Sequence, residues 1–499
     1  MADIFSGVAQ GFAAISDPVV FLSIVAASLF GIVFGVIPGL SAVMALTLFI
    51  PFTFQMSTVM GVVLLSAMYA AGVFGGSMTA VLFNIPGAPE NAATCFDGYP
   101  LAQSGKATQA LGCAIFSSAL GGLFATLSLM FFAPMLANVA LSFGPPEFFA
   151  LCFLGLCVVI GLGSSVSKGV LSALVGLLLA CVGVSPMSGA ARLTFGFPIL
   201  MSGIRYIPIM LGAFAISEVF TRVIDIKQGR EYEKVTLSGK MMEWAEILRM
   251  KWLYLRSAAI GIIIGMLPGA GATIASFLSY NEAQRWSKYP EKFGTGIIDG
   301  VAAPETANNA ASGATLIPLF SLGIPGGPAA AIILGAFEIH GLTPGPLLFF
   351  TNPEIPNTVL AALFIANLMI IVAGFYGAKY LVRVLMVPQY IIFPIISTFC
   401  ILGAFAVGNN MFDVWVMLIF GLIGTFMRTN GYSIAGMVLG VVLGFLLETN
   451  FIQTTVIFEK NIFAGFFLRP ISGTILVLSF ISLFMPVYKQ LKSLKKAKA

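Results

Sequence analysis

The sequence predicts an all-α polytopic membrane protein of eleven to twelve transmembrane helices, arranged as two inverted repeats whose helices are broken or re-entrant at Pro-Gly pairs. Three observations carry this prediction. The 499 residues are 59% hydrophobic and 9% charged, with a mean hydropathy of +1.00. Two Pro-Gly strings recur in the same order at nearly the same offset, and positive charge is gathered into a central stretch and the tail.

Composition excludes whole classes of function. Soluble domains carry about 25% charged residues, and 25 Lys plus Arg, 20 Asp plus Glu and one His are too few to cover a soluble surface of this size. A soluble enzyme and a nucleic-acid binder are both ruled out. Continuous apolar runs, such as residues 148 to 163, lack the alternation of a transmembrane β-barrel and read as helices. The six cysteines form no C-x-x-C pair and sit mostly in apolar runs, so neither a disulfide framework nor a bound metal or other cofactor is expected. The first residues lack the basic opening of a secretory signal, and no cleaved leader is expected.

Crossings are predicted near 57 to 83, 107 to 134, 148 to 163, 169 to 185 and 198 to 220. Five more follow near 300 to 322, 356 to 377, 384 to 408, 411 to 427 and 431 to 448, and a last near 472 to 488. Eleven positive residues fall between Arg222 and Lys292, and the tail adds five. The positive-inside rule puts both stretches in the cytoplasm and, by the count of crossings, the N-terminus outside.

The string G-x-x-x-G-x-x-P-G-x-x-A occurs at Gly31 to Ala42 and again at Gly261 to Ala272; I-P-G-x-P occurs at Ile85 to Pro89 and again at Ile324 to Pro328. Two strings in register indicate a duplication. The expected organisation is a first membrane repeat (1–220), a charged cytoplasmic linker (221–256), a second, inverted membrane repeat (257–450), and a terminal helix with a basic tail (451–499). Five crossings per repeat turn the second copy over, the layout of secondary transporters. Positive charge follows the Pro-Gly string only in the second copy and the I-P-G-x-P string only in the first, in keeping with opposite sides.

Proline removes a backbone donor and glycine adds freedom, so Pro-Gly between apolar half-length segments breaks a membrane helix and frees its terminal N–H and C=O groups. Such backbone is tolerated only where buried in protein or lining a wet cavity. The expected substrate-binding residues are Pro38, Gly39, Ser41, Asn84, Pro86 and Gly87 in the first half, and Pro268, Gly269, Gly271, Thr273, Asn308, Asn309, Pro325 and Gly326 in the second. Helix termini, hydroxyls and amides suit a carboxylate and a small cation alike. The plainer alternative is that each Pro-Gly pair simply ends a helix.

The segments GVIPGLSAVMALTLFIPFTF, FNIPGAPENAATCFDGYPLA, GMLPGAGATIASFLSY and GVAAPETANNAASGATLIPLFSLGIPGGPAAAIILGAF resemble the large membrane subunit of the tripartite tricarboxylate transporters, over about residues 17 to 485. The resemblance implies a bacterial inner-membrane carrier of carboxylates driven by a sodium or proton gradient. Its implied partners are a small membrane subunit and a periplasmic solute-binding protein. An autonomous symporter without those subunits is the alternative.

Charged residues inside membrane segments are functional candidates. Asp97, Glu305 and Glu338 are read as coupling-ion or gate residues, with a helix cap as the alternative for Asp97 and Glu338. Glu305 shares a helix face with Asn308 and Asn309. Arg205 reads as a snorkelling residue or a carboxylate attractor, and His340 as a hydrogen-bonded interfacial residue. Scattered acids and a single histidine argue against a membrane enzyme, and no G-x-x-x-x-G-K-[ST] loop supports ATP drive.

Overall fold

A computed structural model describes residues 2–37, 40–160, 165–226, 242–269, 271–384, 387 and 389–498. The chain runs α1 (Ala2–Ile15), α2 (Pro18–Val36), α3 (Ala42–Phe49), α4 (Thr58–Phe83), α5 (Ala92–Leu101), α6 (Ala107–Ala140), α7 (Pro145–Ile160), α8 (Val166–Ala180), α9 (Tyr206–Met210) and α10 (Ser217–Ile226), the last two joined by a π-helical turn. It continues through α11 (Trp244–Arg249), α12 (Lys251–Gly265), α13 (Gly271–Trp286), α14 (Asp299–Ala314), α15 (Leu316–Leu322), α16 (Pro328–Ile339), α17 (Leu348–Thr351), α18 (Glu354–Val384), α19 (Gln389–Gly408), α20 (Met411–Thr429), α21 (Ile434–Ile457) and α22 (Pro470–Lys498). Among the described residues the only β-structure is a hairpin pairing Gly183–Val184 with Ala191–Arg192.

Local chemistry sets the helix ends. Asp17 caps α2 by accepting from the amides of Val19 and Val20, with Pro18 in the first turn, where its missing N–H costs nothing. Ser57 caps α4 through Met60 N–H, Asn410 caps α20 through Asp413 N–H, and Ser433 caps α21 through Gly436 N–H. The exposed faces of the outer helices carry large apolar side chains, including Phe21, Leu171, Phe364, Leu422 and Phe484. That is the inverse of a soluble surface and fits a lipid environment.

The all-α membrane architecture agrees with the sequence, but the spans differ in detail. Among the described residues eight helices are long and apolar enough to cross. Pro18–Val36 is one of them, although the sequence suggested it did not cross fully. The crossings expected at 148 to 163, 169 to 185 and 472 to 488 correspond to shorter apolar helices, and the one at 300 to 322 is split at Thr315 between α14 and α15. The ends of the expected linker are helical, as α10 runs to Ile226 and α12 begins at Lys251; residues 227–241 lie outside those described.

The recurring strings have matching surroundings in how the helices touch. A side chain at Gly31 or Gly35 would run into the carbonyls of Met68 and Gly72 on α4; one at Gly261 or Gly265 would run into those of Ala307 and Ala311 on α14. Every partner in the second set is the counterpart of one in the first at the spacing of the I-P-G-x-P strings. Helix α4 ends at Asn84 in the left-handed conformation (φ 56°), and α15 ends at the equivalent Gly323 (φ 72°). Just beyond, Gly87 packs on Gly76, and Gly326 on the equivalent Thr315.

The two halves interlock. Helices α7 and α8 pack on α21, whereas α19 and α20 pack on the α9–α10 segment. Each flanking group thus takes two helices from one half and the last helix of the other. Glycines make both contacts close: Gly176 meets Gly440, and Gly212 meets Gly421. Between these groups lies a centre of α2, α4, α6, α12, α14 and α18, in which α6 packs on α14 and α4 on α18. There the Asn367 amide on α18 donates to Thr126 Oγ1 on α6 at 3.3 Å.

Candidate functional site

The breaks interrupt the chain between helices, and in the second half they touch each other. Gly269, at φ 80°, a conformation that suits glycine, donates its N–H to the carbonyl of Gly326 at 3.0 Å. Pro268 is buried facing Gly155 of α7, and Pro325 and Gly326 are buried with it. In the first half Gly87 donates to the carbonyl of Gly76 at 3.3 Å, beside the carbonyl of Gly35. Pro38 and Gly39 lie outside the described residues. Ser41 caps α3 by accepting from Met44 N–H, Gly271 opens α13 at φ 66° and Thr273 follows it half-buried, while Asn84 and Pro86 are exposed at the end of α4.

The first break meets the second half at Glu305. This carboxylate is fully buried on α14 and accepts from Thr94 Oγ1 at 2.6 Å, Ser118 Oγ at 2.9 Å and Asn91 Nδ2 at 3.4 Å. Asn91 and Thr94 belong to the segment that follows the I-P-G-x-P string, and Ser118 lies on α6. Among the described residues no Lys or Arg forms an ion pair with Glu305. Burying a carboxylate among neutral side-chain donors carries a desolvation cost that a proton or a bound cation relieves.

Around it lie further polar groups. Asn309 donates to the Glu305 carbonyl at 3.0 Å. Asn308, one turn after Glu305, is fully buried and both of its side-chain polar atoms lack a partner; Asn91 Oδ1 also lacks one. Tyr69 of α4 turns its hydroxyl toward Ser312 and Thr315, and Glu90 is close enough to act electrostatically on both Tyr69 and Glu305.

Asp97 and Glu338 do not join this cluster. Asp97 is buried and accepts from Gly294 N–H (2.9 Å), Gly296 N–H (2.8 Å), Ile297 N–H (3.0 Å) and the Tyr280 hydroxyl (2.8 Å). It fastens the loop that leads into α14. Glu338 is exposed and accepts from the Tyr206 hydroxyl at 2.8 Å. Arg205 pairs with Asp413 at 2.7 Å, so it is neither a lone snorkelling cation nor a free attractor. His340 departs from expectation as well: its Nε2 is buried without a hydrogen-bond partner, close to Gly61 and Thr53.

Sequence reasoning missed Ser118, Glu90, Tyr206 and Tyr280 as partners of these carboxylates. Serine on an apolar helix carries no distinguishing spacing, and only the polar string PEN at 89 to 91 marked Glu90. Two cavities of about 500 and 490 Å³ lie elsewhere, between α6 and α18 and among α7, α8, α21 and α22, lined mainly by apolar side chains. Among the described residues no three His, Cys, Asp or Glu gather as a metal site.

With this geometry in view, comparison with known proteins is decisive. The model of the tripartite tricarboxylate transporter TctA family matches residues 21–439. The chain belongs to that family. A 52.8 kDa protein of the TAR-I ttuC′ 3′ region of Agrobacterium vitis, described as uncharacterized, is 36% identical over 494 residues, covering 99% of this chain and 98% of that protein. A second A. vitis protein, from the TAR-II ttuC′ 3′ region, is 36% identical over 233 residues, 47% of this chain and 96% of its own length. No solved structure matches. The matched span takes in all four Pro-Gly breaks and Glu305, and family membership points to a multi-pass transporter subunit rather than an enzyme.

Proposed function

We propose that this TctA-family chain is the large membrane subunit of a secondary transporter that imports carboxylates, driven by a cation gradient. In this reading a periplasmic solute-binding protein delivers the substrate and a small membrane subunit completes the carrier. It works in a bacterial inner membrane with its basic C-terminal tail in the cytoplasm. The two repeats are inverted and exchange roles in alternating access.

The observation that carries the reading is Glu305: a fully buried carboxylate of the second half, without a basic partner among the described residues, held by three side chains of the first half next to a helix break. Such a group binds and releases a cation as its surroundings open and close, which links an ion gradient to a conformational change. The substrate carboxylate is bound by backbone N–H groups where α3, α5, α13 and α16 begin at the breaks, since helix N-termini favour anions. Asp97 acts as a gate fastening by holding residues 294–297, and Glu338 does so at the other end through Tyr206.

Reconstitution tests this. Uptake of a carboxylate panel is measured in proteoliposomes with an imposed sodium or proton gradient. Gradient-dependent accumulation that Glu305→Gln abolishes supports the reading; accumulation unchanged in that variant removes Glu305 from coupling.

A further inference from the structure

We infer that the chain holds one alkali-cation site, formed by Glu305, Asn91 and Asn308, that has no counterpart in the other repeat. The inference rests on the transporter reading and adds to it the site, its composition and its number.

The donor set comes first. Glu305 supplies carboxylate oxygens, already oriented by Thr94 and Ser118. Asn91 gives its Nδ2 to that carboxylate and leaves Oδ1 buried against Gly76 of α4 without a hydrogen-bond partner among the described residues, so that a cation would be reached by a turn of the amide. Asn308 follows one turn later on the same helix and leaves both polar atoms buried without partners. A buried polar atom without a hydrogen bond costs on the order of 1–3 kcal/mol, so unpaired amides flanking a buried carboxylate have a strong reason to hold a ligand. What they lack is positive charge. Carboxylate, amide and hydroxyl oxygens are the ligands of hard cations. A single fully buried carboxylate with neutral oxygens suits a singly charged ion better than a divalent one, and Glu90 nearby adds to the negative field.

The repeat then fixes the number. At the spacing that matches Gly72 to Ala311 and Asn84 to Gly323, Glu305 corresponds to Ser66 and Asn308 to Tyr69. Glu90, Asn91 and Thr94 correspond to Ala329, Ala330 and Ile333. The equivalent position therefore has no carboxylate and no amide. Ser66 turns its hydroxyl to the carbonyl of Val62 at 2.8 Å, and the Tyr69 hydroxyl is directed at Ser312 and Thr315. The two matched positions thus differ in chemistry, and only one of them carries the carboxylate and amides of a cation site.

The test uses the purified full-length chain. Thermal unfolding is followed against sodium chloride, with choline chloride at equal ionic strength as the control and lithium and potassium chloride for selectivity. Sodium or another alkali ion is expected to stabilise the wild type with one-site saturation. The stabilisation is expected to vanish in Glu305→Gln and to need about tenfold more salt in Asn308→Ala, the loss of one ion–dipole contact. Ser66→Ala, at the position equivalent to Glu305, removes a hydroxyl bonded within its own helix and is expected to keep the wild-type response. Equal stabilisation in Glu305→Gln, no response to any alkali ion in the wild type, or saturation at two sites would each overturn the inference. Should Glu305→Gln fail to fold, Asn91→Ala and Asn308→Ala serve in its place. Proton-driven uptake by a chain without an alkali-ion response would sink the site and leave the transporter reading standing; an alkali-ion response without uptake under any gradient would do the reverse.

Discussion

Thr94 donates a hydrogen bond to Glu305 at 2.6 Å, joining residues 211 apart in sequence and belonging to different halves of the chain. It is the shortest of the three bonds to a carboxylate that, among the described residues, forms no ion pair with a basic side chain. Thr94→Val removes the donor while keeping the shape. Gradient-driven uptake is expected to need about tenfold more of the coupling ion, the cost of one hydrogen bond to a charged group. Uptake measured against ion concentration reads this directly.

The glycine contacts give a second prediction. Alanine at Gly35 would meet the Gly72 carbonyl, and at Gly265 the Ala311 carbonyl, both backbone atoms that cannot turn aside. Each substitution is expected to cost about 1–3 kcal/mol, the usual penalty of overpacking. Gly377, on α18, has open space where a Cβ would go, and Gly377→Ala is expected to be neutral. Folded yield and thermal unfolding in detergent distinguish the three.

Much of this was legible in the sequence, and the reason is chemical. Pro-Gly strings are unmistakable breaks, and their shared order along the chain indicated a duplication, whereas which helix turns the paired glycines oppose is visible only in the structure. The exchange of last helices between halves was not legible, because the contacts of Gly176 with Gly440 and of Gly212 with Gly421 use small residues that are common in any membrane helix. The site was half legible. Glu305 and Asn308 stood out by helical spacing, whereas Ser118 became significant only once α6 packed against α14. Asp97 and Glu338 each follow an I-P-G-x-P string at roughly similar distance, yet one receives four hydrogen bonds and the other one, because the loop 294–297 closes over the first alone.

Asp97 supports a third prediction. Asp97→Asn neutralises the oxygen that three backbone amides share and puts an NH2 where the second oxygen accepts from the Tyr280 hydroxyl. Stability is expected to fall by about 1–3 kcal/mol, with faster hydrogen exchange at Gly294, Gly296 and Ile297. Exchange mass spectrometry on this loop is the measurement; unchanged protection would show that the three amides hold without the charge.

Orientation is the fourth. Ser188, in the turn of the small hairpin, and Lys288, after α13, are both exposed. In the proposed topology they face opposite sides. In a cysteine-free background, an impermeant thiol reagent added to intact right-side-out vesicles is expected to label Ser188→Cys, and Lys288→Cys only after permeabilisation. Labelling of both from one side would rule out the inverted arrangement.

The most direct test of the central claim is uptake by proteoliposomes containing this chain, with the small subunit and the binding protein added in turn and a sodium or proton gradient imposed. The expected result is carboxylate accumulation only when all three proteins and the gradient are present. Accumulation by this chain alone would contradict the tripartite assembly, and no accumulation of any carboxylate under any gradient would contradict the transporter itself.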